Sequence, residues 1–221
     1  MTDPRAEVLA TARAMNAAGL NRGTAGNVSL RHEDGFFVTP TGMDYDESEP
    51  ADIAFVGLDG RAEGRRKPSS EWRFHRDIYA ARPEAGAIIH THAPFATALA
   101  CRGEAIPPFH YMIARFGGAD IRCAGYATFG TQELSDAMLA ALRERCACLM
   151  AHHGMVVFGA DLKQALALAV EFEALCEQYW RLLALGQPVR LLPDDEMQRV
   201  QAKFCDYGRQ DGGAPAAGPQ A

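Results

Sequence analysis

The chain has 221 residues and a formal net charge of −6, with 48% hydrophobic and 23% charged residues. This composition is typical of a globular protein, and the length fits one domain with a sizeable core better than two. The acidic balance argues against a nucleic-acid-binding protein, which would usually carry a basic patch or stripe. It is compatible with a small anionic substrate, because a phosphate site needs only a few local donors.

The sequence shows no membrane-directed or disulfide-rich pattern. No apolar stretch approaches the roughly 20 residues that span a bilayer, and residues 1–16 lack the basic and apolar regions of a secretory signal. The six cysteines include no C-x-x-C pair. Free thiols in a reducing cytoplasm are the simplest interpretation. We therefore expect a cytoplasmic protein with neither a membrane nor a nucleic acid as partner.

The first half of the chain combines helical periodicity with short apolar strands and turns. A glycine-rich turn covers residues 23–27, and Pro40-Thr41-Gly42 forms another turn. Ser69 and Ser70 precede a helix, as capping residues do. The predicted elements are a helix over 7–18, strands over 28–30, 35–39 and 53–56, and a helix over 71–81.

The second half alternates buried strands with longer helices. The tail from Arg209 is rich in Gly, Pro and Ala, which predicts disorder. No internal repeat is visible, and the elements together predict an α/β domain around a sheet with mixed hairpins. The predicted elements are strands over 87–92 and 146–151 and helices over 94–100, 133–145, 161–185 and 194–207.

A His-Thr-His sequence at residues 90–92 is the strongest chemical signal. On a strand, residues i and i+2 point to one face about 7 Å apart, so two imidazoles can bind one metal ion while Thr91 points away. A third ligand can come from His152-His153-Gly154, which follows another buried strand. A single histidine is more often an ordinary core or surface residue, but this combination favours a metal site.

Three protein ligands and an open position are typical of catalytic zinc, although H-x-H also binds iron and copper. His152 and His153 alternate faces if the strand continues, so they are not expected to reach one ion together. The sequence pattern alone does not choose between them.

Polar turns near Glu71 suggest an anion site. Ser69 and Ser70 lie at a helix start, where hydroxyls, free N–H groups and the helix dipole favour an anion. Serines in this position usually serve only as caps. The further turns at Gly26-Asn27 and Thr41-Gly42 strengthen the functional interpretation, since they have the composition of a phosphate-binding loop. None matches the Walker pattern of nucleotide-binding proteins.

Seven segments follow the motifs of a known family in that family's order. The resemblance extends over nearly the whole chain, to about Gly208. The segments are residues 23–29, 39–42 (TPTG), 68–75 (PSSEWRFH), 90–92 (HTH), 110–114 (HYMIA), 126–131 (YATFGT) and 152–154 (HHG). On these segments the chain resembles the class II aldolase/adducin family, and within it the bacterial L-fuculose-1-phosphate aldolases. The resemblance implies one catalytic domain over residues 1–208 with a central mixed, largely antiparallel sheet flanked by helices, followed by a tail over 209–221.

The resemblance also implies a metal centre. It assigns His90, His92 and His153, the histidine immediately before glycine, as ligands of one Zn²⁺ per subunit, with another divalent metal as an alternative. It assigns Glu71 as the acid/base, and as a further zinc ligand until substrate arrives.

The remaining roles implied by the family lie around this centre. The substrate phosphate would contact Asn27, Thr41, Gly42, Ser69 and Ser70. Aromatic residues would complete the site, which the family forms at the subunit interfaces of a cyclic homotetramer. They are Tyr111, which reaches a neighbouring subunit's site, Tyr207, a mobile C-terminal tyrosine, and Phe129, near the aldehyde end.

These roles fit a lyase that reversibly cleaves a ketose 1-phosphate between C3 and C4 into dihydroxyacetone phosphate and an aldehyde. The chain has three lysines, Lys67, Lys163 and Lys203, and none has a clearly apolar setting, which favours metal over imine chemistry. The sequence leaves the aldehyde open between L-lactaldehyde, from L-fuculose 1-phosphate, and the aldehydes from a 5-deoxy- or 5-methylthiopentulose 1-phosphate of nucleoside salvage.

Three alternatives belong to the same family. Ribulose-5-phosphate 4-epimerases resemble this chain but carry aspartate where Glu71 stands. Methylthioribulose-1-phosphate dehydratases share the metal and a glutamate, whereas the segments around Trp72 and Tyr111 resemble aldolases. Adducin-like interaction modules are expected to have lost the histidines or the glutamate, and this chain has both.

Overall fold

A computed structural model describes residues 3–204. Eight strands form one sheet in the order β4-β3-β2-β1-β5-β8-β7-β6, and all neighbouring pairs are antiparallel except β6 and β7. The prediction of a mixed, largely antiparallel sheet is therefore confirmed. The strands are β1 (Asn27–His32), β2 (Gly35–Val38), β3 (Ala54–Gly57), β4 (Ala62–Glu63), β5 (Ala87–Thr91), β6 (Cys123–Ala124), β7 (Ala147–Met150) and β8 (Gly154–Gly159).

Six α-helices flank the sheet, and side-chain caps fix where several of them begin. Three helices are capped in their first turns, those that begin at Pro4, Leu162 and Gln132. Their N–H groups donate to the carboxylates of Asp3 and Asp161 and to the hydroxyl of Thr131, respectively. Two short 3₁₀-helices cover Pro50–Asp52 and Tyr111–Phe116. The α-helices are α1 (Pro4–Ala17), α2 (Trp72–Ala81), α3 (Pro94–Ala100), α4 (Gln132–Ala141), α5 (Leu162–Ala184) and α6 (Asp194–Phe204).

The two faces of the sheet pack against different helices, because successive strand residues point to opposite sides. On β5, Ala87 and Ile89 join a core with α1, α3 and α5, whereas Ile88 joins a second core with α2 and α4. By the same alternation His90 points to the face covered by α2. The helix pair that covers a face therefore determines which polar residues can meet these histidines.

Several elements were not predicted from the sequence. The strand β8 is buried at all six positions, and residues 154–160 were assigned no element because the strand before them was thought to end at Ala151. The strands β4 and β6 have two residues each, too few to show periodicity. The last helix is described to Phe204, and its predicted extension to 207 lies outside the described residues, as does the tail.

Two expectations about the chain's environment can be compared with the described residues. Cys101, Cys123, Cys146, Cys148 and Cys176 are free thiols. Across residues 3–204, no helix has both the length and the apolar character that crossing a membrane would require.

Candidate active site and metal centre

The candidate site lies along the row of strand ends at one side of the sheet, where neighbouring strands begin or finish. The β1 residue Asn27 pairs with His90 at the end of β5, and Thr91 pairs with Met155 near the start of β8. The ends of β7 and β6 lie at this same edge, where Ala124 pairs with Met150. Segments distant in sequence thus meet in one row, from the polar turns beside β1 and β2 through the histidines to the loop after β6.

His90 and His92 lie on one side of β5, as the i, i+2 spacing predicts. Their Nε2 atoms are 3.2 Å apart. Thr91 points to the opposite face, where its hydroxyl donates a hydrogen bond to the carbonyl of Leu20. His90, His92 and His153 each offer one ring nitrogen, and these three atoms lie within 4.8 Å of one another. The three sequence-predicted ligands are therefore brought together.

A tight turn between β7 and β8 separates His152 from His153. The N–H of His153 donates to the carbonyl of Met150 at 3.0 Å, and His152 has a left-handed backbone with φ 55°. A side chain on Gly154 would place Cβ 2.5 Å from the carbonyl oxygen of Thr91, so only glycine fits after His153. The turn brings His153 to the histidine cluster while His152 lies exposed at the cavity.

The histidine cluster fits a cation on the chemistry of its donors. The Nδ1–H of His90 donates to the carbonyl of Met155 at 2.9 Å, which leaves Nε2 as the free ring nitrogen in the neutral form. That nitrogen faces both His92 Nε2 and a carboxylate oxygen of Glu71, which lies 3.1 Å away. Lone pairs that face one another in a buried site require a proton or a cation between them.

Glu71 lies at the start of α2, above the histidines. Its Oε2 is 3.1 Å from Nε2 of His90, and its Oε1 is 3.2 Å from Nε2 of His153. Burial acts to raise the pKa of Glu71, but the charge of His90 and the hydrogen bond and charge of His153 outweigh it, so the pKa lies well below its usual range. Glu71 is therefore held as a carboxylate beside three imidazoles.

The pKa values of His90 and His92 shift in opposite directions in this arrangement. Burial acts to lower the pKa of His90, but the charge and the hydrogen bond of Glu71 raise it above its usual value. For His92, burial and the charges of His90 and His153 lower the pKa to about 4. His92 thus keeps a neutral imidazole, which is the form that binds metal.

A buried hydrogen-bond chain behind Glu71 was not predicted from the sequence. The amide nitrogen of Asn27 donates to Oε2 of Glu71 at 3.0 Å, and Oδ1 of Asn27 accepts from Nε2 of His75. The other ring nitrogen of His75 accepts from Oγ of Ser29 at 2.7 Å, and Tyr79 OH donates to that hydroxyl at 2.8 Å. This chain fixes the orientation of the Glu71 carboxylate.

The protonation state of His75 agrees with this bonding pattern. Burial, followed by the charge of His90, lowers the pKa of His75 to about 3, so its ring is neutral with the proton on Nε2. The sequence spacing held a usable signal for this chain of hydrogen bonds. Glu71 and His75 are four residues apart at a helix start, and Asn27 and Ser29 are two residues apart on a strand. Each pair therefore shares a face.

The residues predicted to bind phosphate separate into two groups. Asn27 and Ser69 are buried, and Oγ of Ser69 accepts from Asn27 at 3.0 Å, so both side chains are already used to support Glu71. Thr41, Gly42 and Ser70 are exposed at the cavity. Within residues 3–204, the hydroxyls of Thr41 and Ser70 have no hydrogen-bond partner, so they remain available to a ligand.

Backbone hydrogen bonds hold the two polar turns side by side. The N–H of Thr41 donates to the carbonyl of Lys67 at 3.2 Å, and the N–H of Ser69 donates to the carbonyl of Thr39 at 2.9 Å. No lysine or arginine is among the described residues that line the cavity. An anion bound there would be held by neutral donors and by the start of α2.

The cavity has a volume of about 290 Å³, at the lower end of the roughly 300–1,000 Å³ of small-molecule sites. Its wall is formed by the two polar turns, by the loop after β6, and by Glu71, His92 and His153. That loop adds Tyr126 and Phe129, whose side chains are 67% and 64% exposed. Phe129 therefore lies at the cavity, and its place near the aldehyde end stays a prediction, whereas Tyr126 and His152 were given no role.

Tyr111, one of the two predicted tyrosines, is not among the residues that line this cavity. Tyr111 begins a 3₁₀-helix, is half-exposed, and stacks on Phe204 with ring centroids 6.4 Å apart. It lines a separate groove beside α6. Tyr207 lies outside the described residues.

A family model described as "Class II Aldolase and Adducin N-terminal domain" matches residues 6–180. A 5-methylthioribulose-1-phosphate/5-deoxyribulose-1-phosphate aldolase of Rhodospirillum rubrum is 57% identical over 89% of this chain and 89% of its own length. An L-fuculose phosphate aldolase of Escherichia coli K12 is 46% identical over 91% of this chain and 94% of its own length. The similarity therefore extends over nearly the whole of each chain.

Solved structures agree with these sequence relatives. An L-fuculose 1-phosphate aldolase superposes with a TM-score of 0.86 and 36% sequence identity, covering 92% of this chain and 97% of its own. The family model's range of residues 6–180 includes all the elements that contribute to the histidine cluster.

Proposed function

This chain belongs to the class II aldolase and adducin family and is an aldehyde-lyase of its metal-dependent aldolases, and from this premise we propose which substrate, metal and residues it uses. We propose that it cleaves a ketose 1-phosphate between C3 and C4, giving dihydroxyacetone phosphate and an aldehyde. The observation that carries this proposal is the convergence of Glu71 with three histidines in a cavity beside two phosphate-binding turns.

The proposed substrate is a pentulose 1-phosphate with a 5-deoxy or 5-methylthio tail. The relative at 57% identity is named for both of these substrates, and a Bacillus thuringiensis relative at 40% identity is named a 5-deoxy-D-ribulose 1-phosphate aldolase. The small cavity suits such a substrate. L-Fuculose 1-phosphate is the second candidate, because relatives at 46% identity are named for it.

The proposed metal is one Zn²⁺ per subunit. Three imidazoles with an open further position are the donor set typical of catalytic zinc. His90, His92 and His153 would hold it, with the carbonyl of Met155 fixing the His90 tautomer. A divalent cation bound there supplies a Lewis acid for the negative charge that cleavage leaves on the C1–C3 fragment.

Glu71 is the proposed proton carrier. When the C3–C4 bond breaks, its electron pair stays with the C1–C3 fragment, and C3 must then receive a proton to give dihydroxyacetone phosphate. In the cleavage direction the Glu71 carboxylate first takes up a proton from solvent and then delivers it to C3, and in the synthetic direction it removes that proton. The hydrogen bond from Asn27 holds Oε2, whereas Oε1 faces Nε2 of His153 at 3.2 Å, and Oε1 is the oxygen proposed to transfer the proton.

The phosphate is proposed to lie against Thr41, Gly42 and Ser70. The free hydroxyls and the start of α2 favour an anion there. Ser69 and Asn27 contribute to this end through the backbone and by holding Glu71. Binding the phosphate away from the reacting bond orients C3 below the carboxylate.

The proton on the C4 oxygen is proposed to be handled by Tyr111 of a neighbouring subunit in a homotetramer. Tyr111 is half-exposed and remote from the cavity of its own chain, as a residue that serves another subunit would be. Tyr207 is proposed to cover the site from the C-terminal segment, and Phe129 to contact the aldehyde. The cytoplasm is the proposed compartment, in accordance with the five free thiols.

The proposal is tested by incubating the purified protein with a panel of ketose 1-phosphates and measuring dihydroxyacetone phosphate and aldehyde separately. We expect two carbonyl products, fastest from the 5-deoxy and 5-methylthio pentulose 1-phosphates, and one bound zinc per chain by elemental analysis. A single carbonyl product would indicate an epimerase or a dehydratase instead. Full turnover after removal of metal by a chelator would contradict the proposed metal chemistry.

A further inference from the structure

His152 has an unusual backbone for a residue with a side chain. Its φ of 55° lies in the left-handed region, which costs free energy for every residue type except glycine. Its N–H donates to the carbonyl of Ala100 at 3.2 Å, which helps to hold this conformation. Glycine and asparagine adopt this conformation most readily and histidine is also enriched in it, so the fold permits the imidazole at residue 152 without requiring it.

The side chain of His152 lies at the cavity. It is exposed, it forms part of the cavity wall, and its ring lies 6.1 Å from that of Tyr126 at an interplanar angle of 81°. This edge-to-face contact pairs two exposed rings from different segments. One comes from the turn between β7 and β8, and the other from the loop after β6.

The order of strands at the sheet edge indicates which part of a substrate this ring pair would meet. The phosphate turns adjoin β1 and β2, the metal histidines belong to β5 and the start of β8, and the ring pair adjoins β7 and β6. A ketose 1-phosphate has the same linear order: phosphate, then the oxygens of C2 and C3, then C4 and its tail. The ring pair is therefore at the tail end.

We propose that His152 and Tyr126 form the wall that contacts the substrate beyond C3, and that His152 is a specificity-determining residue that favours a short, uncharged tail. This inference rests on the proposed function. Two rings in edge contact offer apolar faces to a methyl or thioether group and leave little room for a longer polyhydroxylated tail. The small cavity volume of about 290 Å³ agrees with a short tail.

The test uses the full-length, metal-loaded protein and the variant His152→Gly. Glycine relieves the left-handed backbone, so we expect an unchanged or higher Tm. We expect kcat/KM for 5-deoxypentulose 1-phosphate, divided by that for a ketohexose 1-phosphate, to fall at least about tenfold, which is 1.4 kcal/mol of discrimination. Proton exchange at dihydroxyacetone phosphate, which needs no aldehyde, should stay within about twofold.

Two further variants keep the result interpretable. His152→Asn, which also tolerates a left-handed backbone, should lower the same ratio if it is the imidazole ring that matters. Glu33→Gly is the matched control, because Glu33 has φ 47° in the β1–β2 turn at the opposite sheet edge and its side chain is 78% exposed. It should leave the ratio unchanged.

A substrate ratio within about twofold of the unchanged protein in both His152 variants would overturn the inference. So would a loss of proton exchange equal to the loss of cleavage, since that would place His152 at the reacting centre. If the unchanged protein itself released no dihydroxyacetone phosphate from any ketose 1-phosphate, the proposed function would fail instead, and the two failures are thus distinguishable.

Discussion

The centre and the rim of the cavity differ in how completely their polar groups are bonded. At the centre, Glu71 and His90 are buried, and hydrogen bonds from Asn27 and to the carbonyl of Met155 fix their orientation. At the rim, Ser70 and Phe129 are exposed, and the Ser70 hydroxyl has no partner within residues 3–204.

This difference indicates a division of labour. A buried charged group is tolerable only when its neighbours hold it, so the centre must be organised before substrate arrives. The rim lacks such neighbours and is completed by whatever binds there, whether a phosphate, an aldehyde or another subunit. Substitutions at the centre should therefore abolish chemistry, and those at the rim should change its selectivity or a single step.

The largest effect is expected from His92→Ala. Removing one of three imidazoles should release the metal and lower cleavage by at least about 10³-fold, because charge stabilisation in the reaction depends on the ion. Elemental analysis and cleavage assays measure both losses. His32→Ala, at the opposite sheet edge, is the control and should change neither. Full metal occupancy in the His92 variant would refute its role as a ligand.

Glu71→Gln should separate metal binding from proton transfer. Glutamine keeps the size of the side chain but cannot carry the proton, so we expect cleavage and proton exchange at dihydroxyacetone phosphate both to fall about 10³-fold. Bound metal should stay near one per chain. The exposed Glu63→Gln is the control. Exchange at the unchanged rate would remove Glu71 from its proposed role.

Tyr111→Phe tests the proposed contribution of a neighbouring subunit to the site. Loss of the phenol should slow cleavage about 10²-fold, because the proton of the C4 oxygen then has no acceptor, and leave proton exchange at C3 nearly intact. Mixing this variant with Glu71→Gln should restore some activity if Tyr111 serves a neighbouring subunit. Equal damage to both reactions would place Tyr111 elsewhere in the mechanism.

The smallest effect concerns His75 and is a pH dependence of stability. Burial, followed by the charge of His90, lowers the pKa of His75 from the ordinary 6.5 of histidine to about 3 in the folded protein. The unfolded chain therefore binds a proton that the fold excludes, so stability is fully present above pH 6.5 and falls as the pH drops from there towards 3. The slope from this residue approaches 1.4 kcal/mol per pH unit.

His75→Gln should remove that part of the slope, and cleavage should fall only several-fold because Asn27 keeps its bond to Glu71. The measurement is urea unfolding of the metal-free protein between about pH 7 and about pH 5. His32→Gln, which changes an exposed histidine, should leave the slope unchanged. Identical slopes for the His75 variant and the unchanged protein would show that His75 is protonated in the fold.

The sequence allowed the metal centre to be predicted because its signals are local. The i, i+2 spacing of His90 and His92 on an apolar strand already defines a shared face, and His153 precedes a glycine that the structure shows to be sterically required. The main helices were also predicted, with ends that differ by a few residues. The resemblance to a family then supplied the roles of Glu71 and the phosphate turns.

The remainder depended on contacts that no local pattern encodes. The bond between Asn27 and His75 joins residues 48 positions apart, so its existence follows only from the pairing of strand and helix. For the same reason, the sequence did not reveal that Ser69 supports Glu71 rather than facing outwards. The left-handed backbone of His152 is likewise a product of the turn that joins β7 to β8.

The pairing of Asn27 with His90 across β1 and β5 makes strand alignment a determinant of activity. A shift of β5 by one residue would turn the imidazoles of His90 and His92 into the core that contains α1, α3 and α5. It would present Thr91 to Glu71 instead. Insertions or deletions within β1, β5 or β8 should therefore inactivate the enzyme even where the chain still folds. Changes in the length of the hairpin turn beside Glu33 leave this alignment untouched. We therefore expect the sequence to vary in length there.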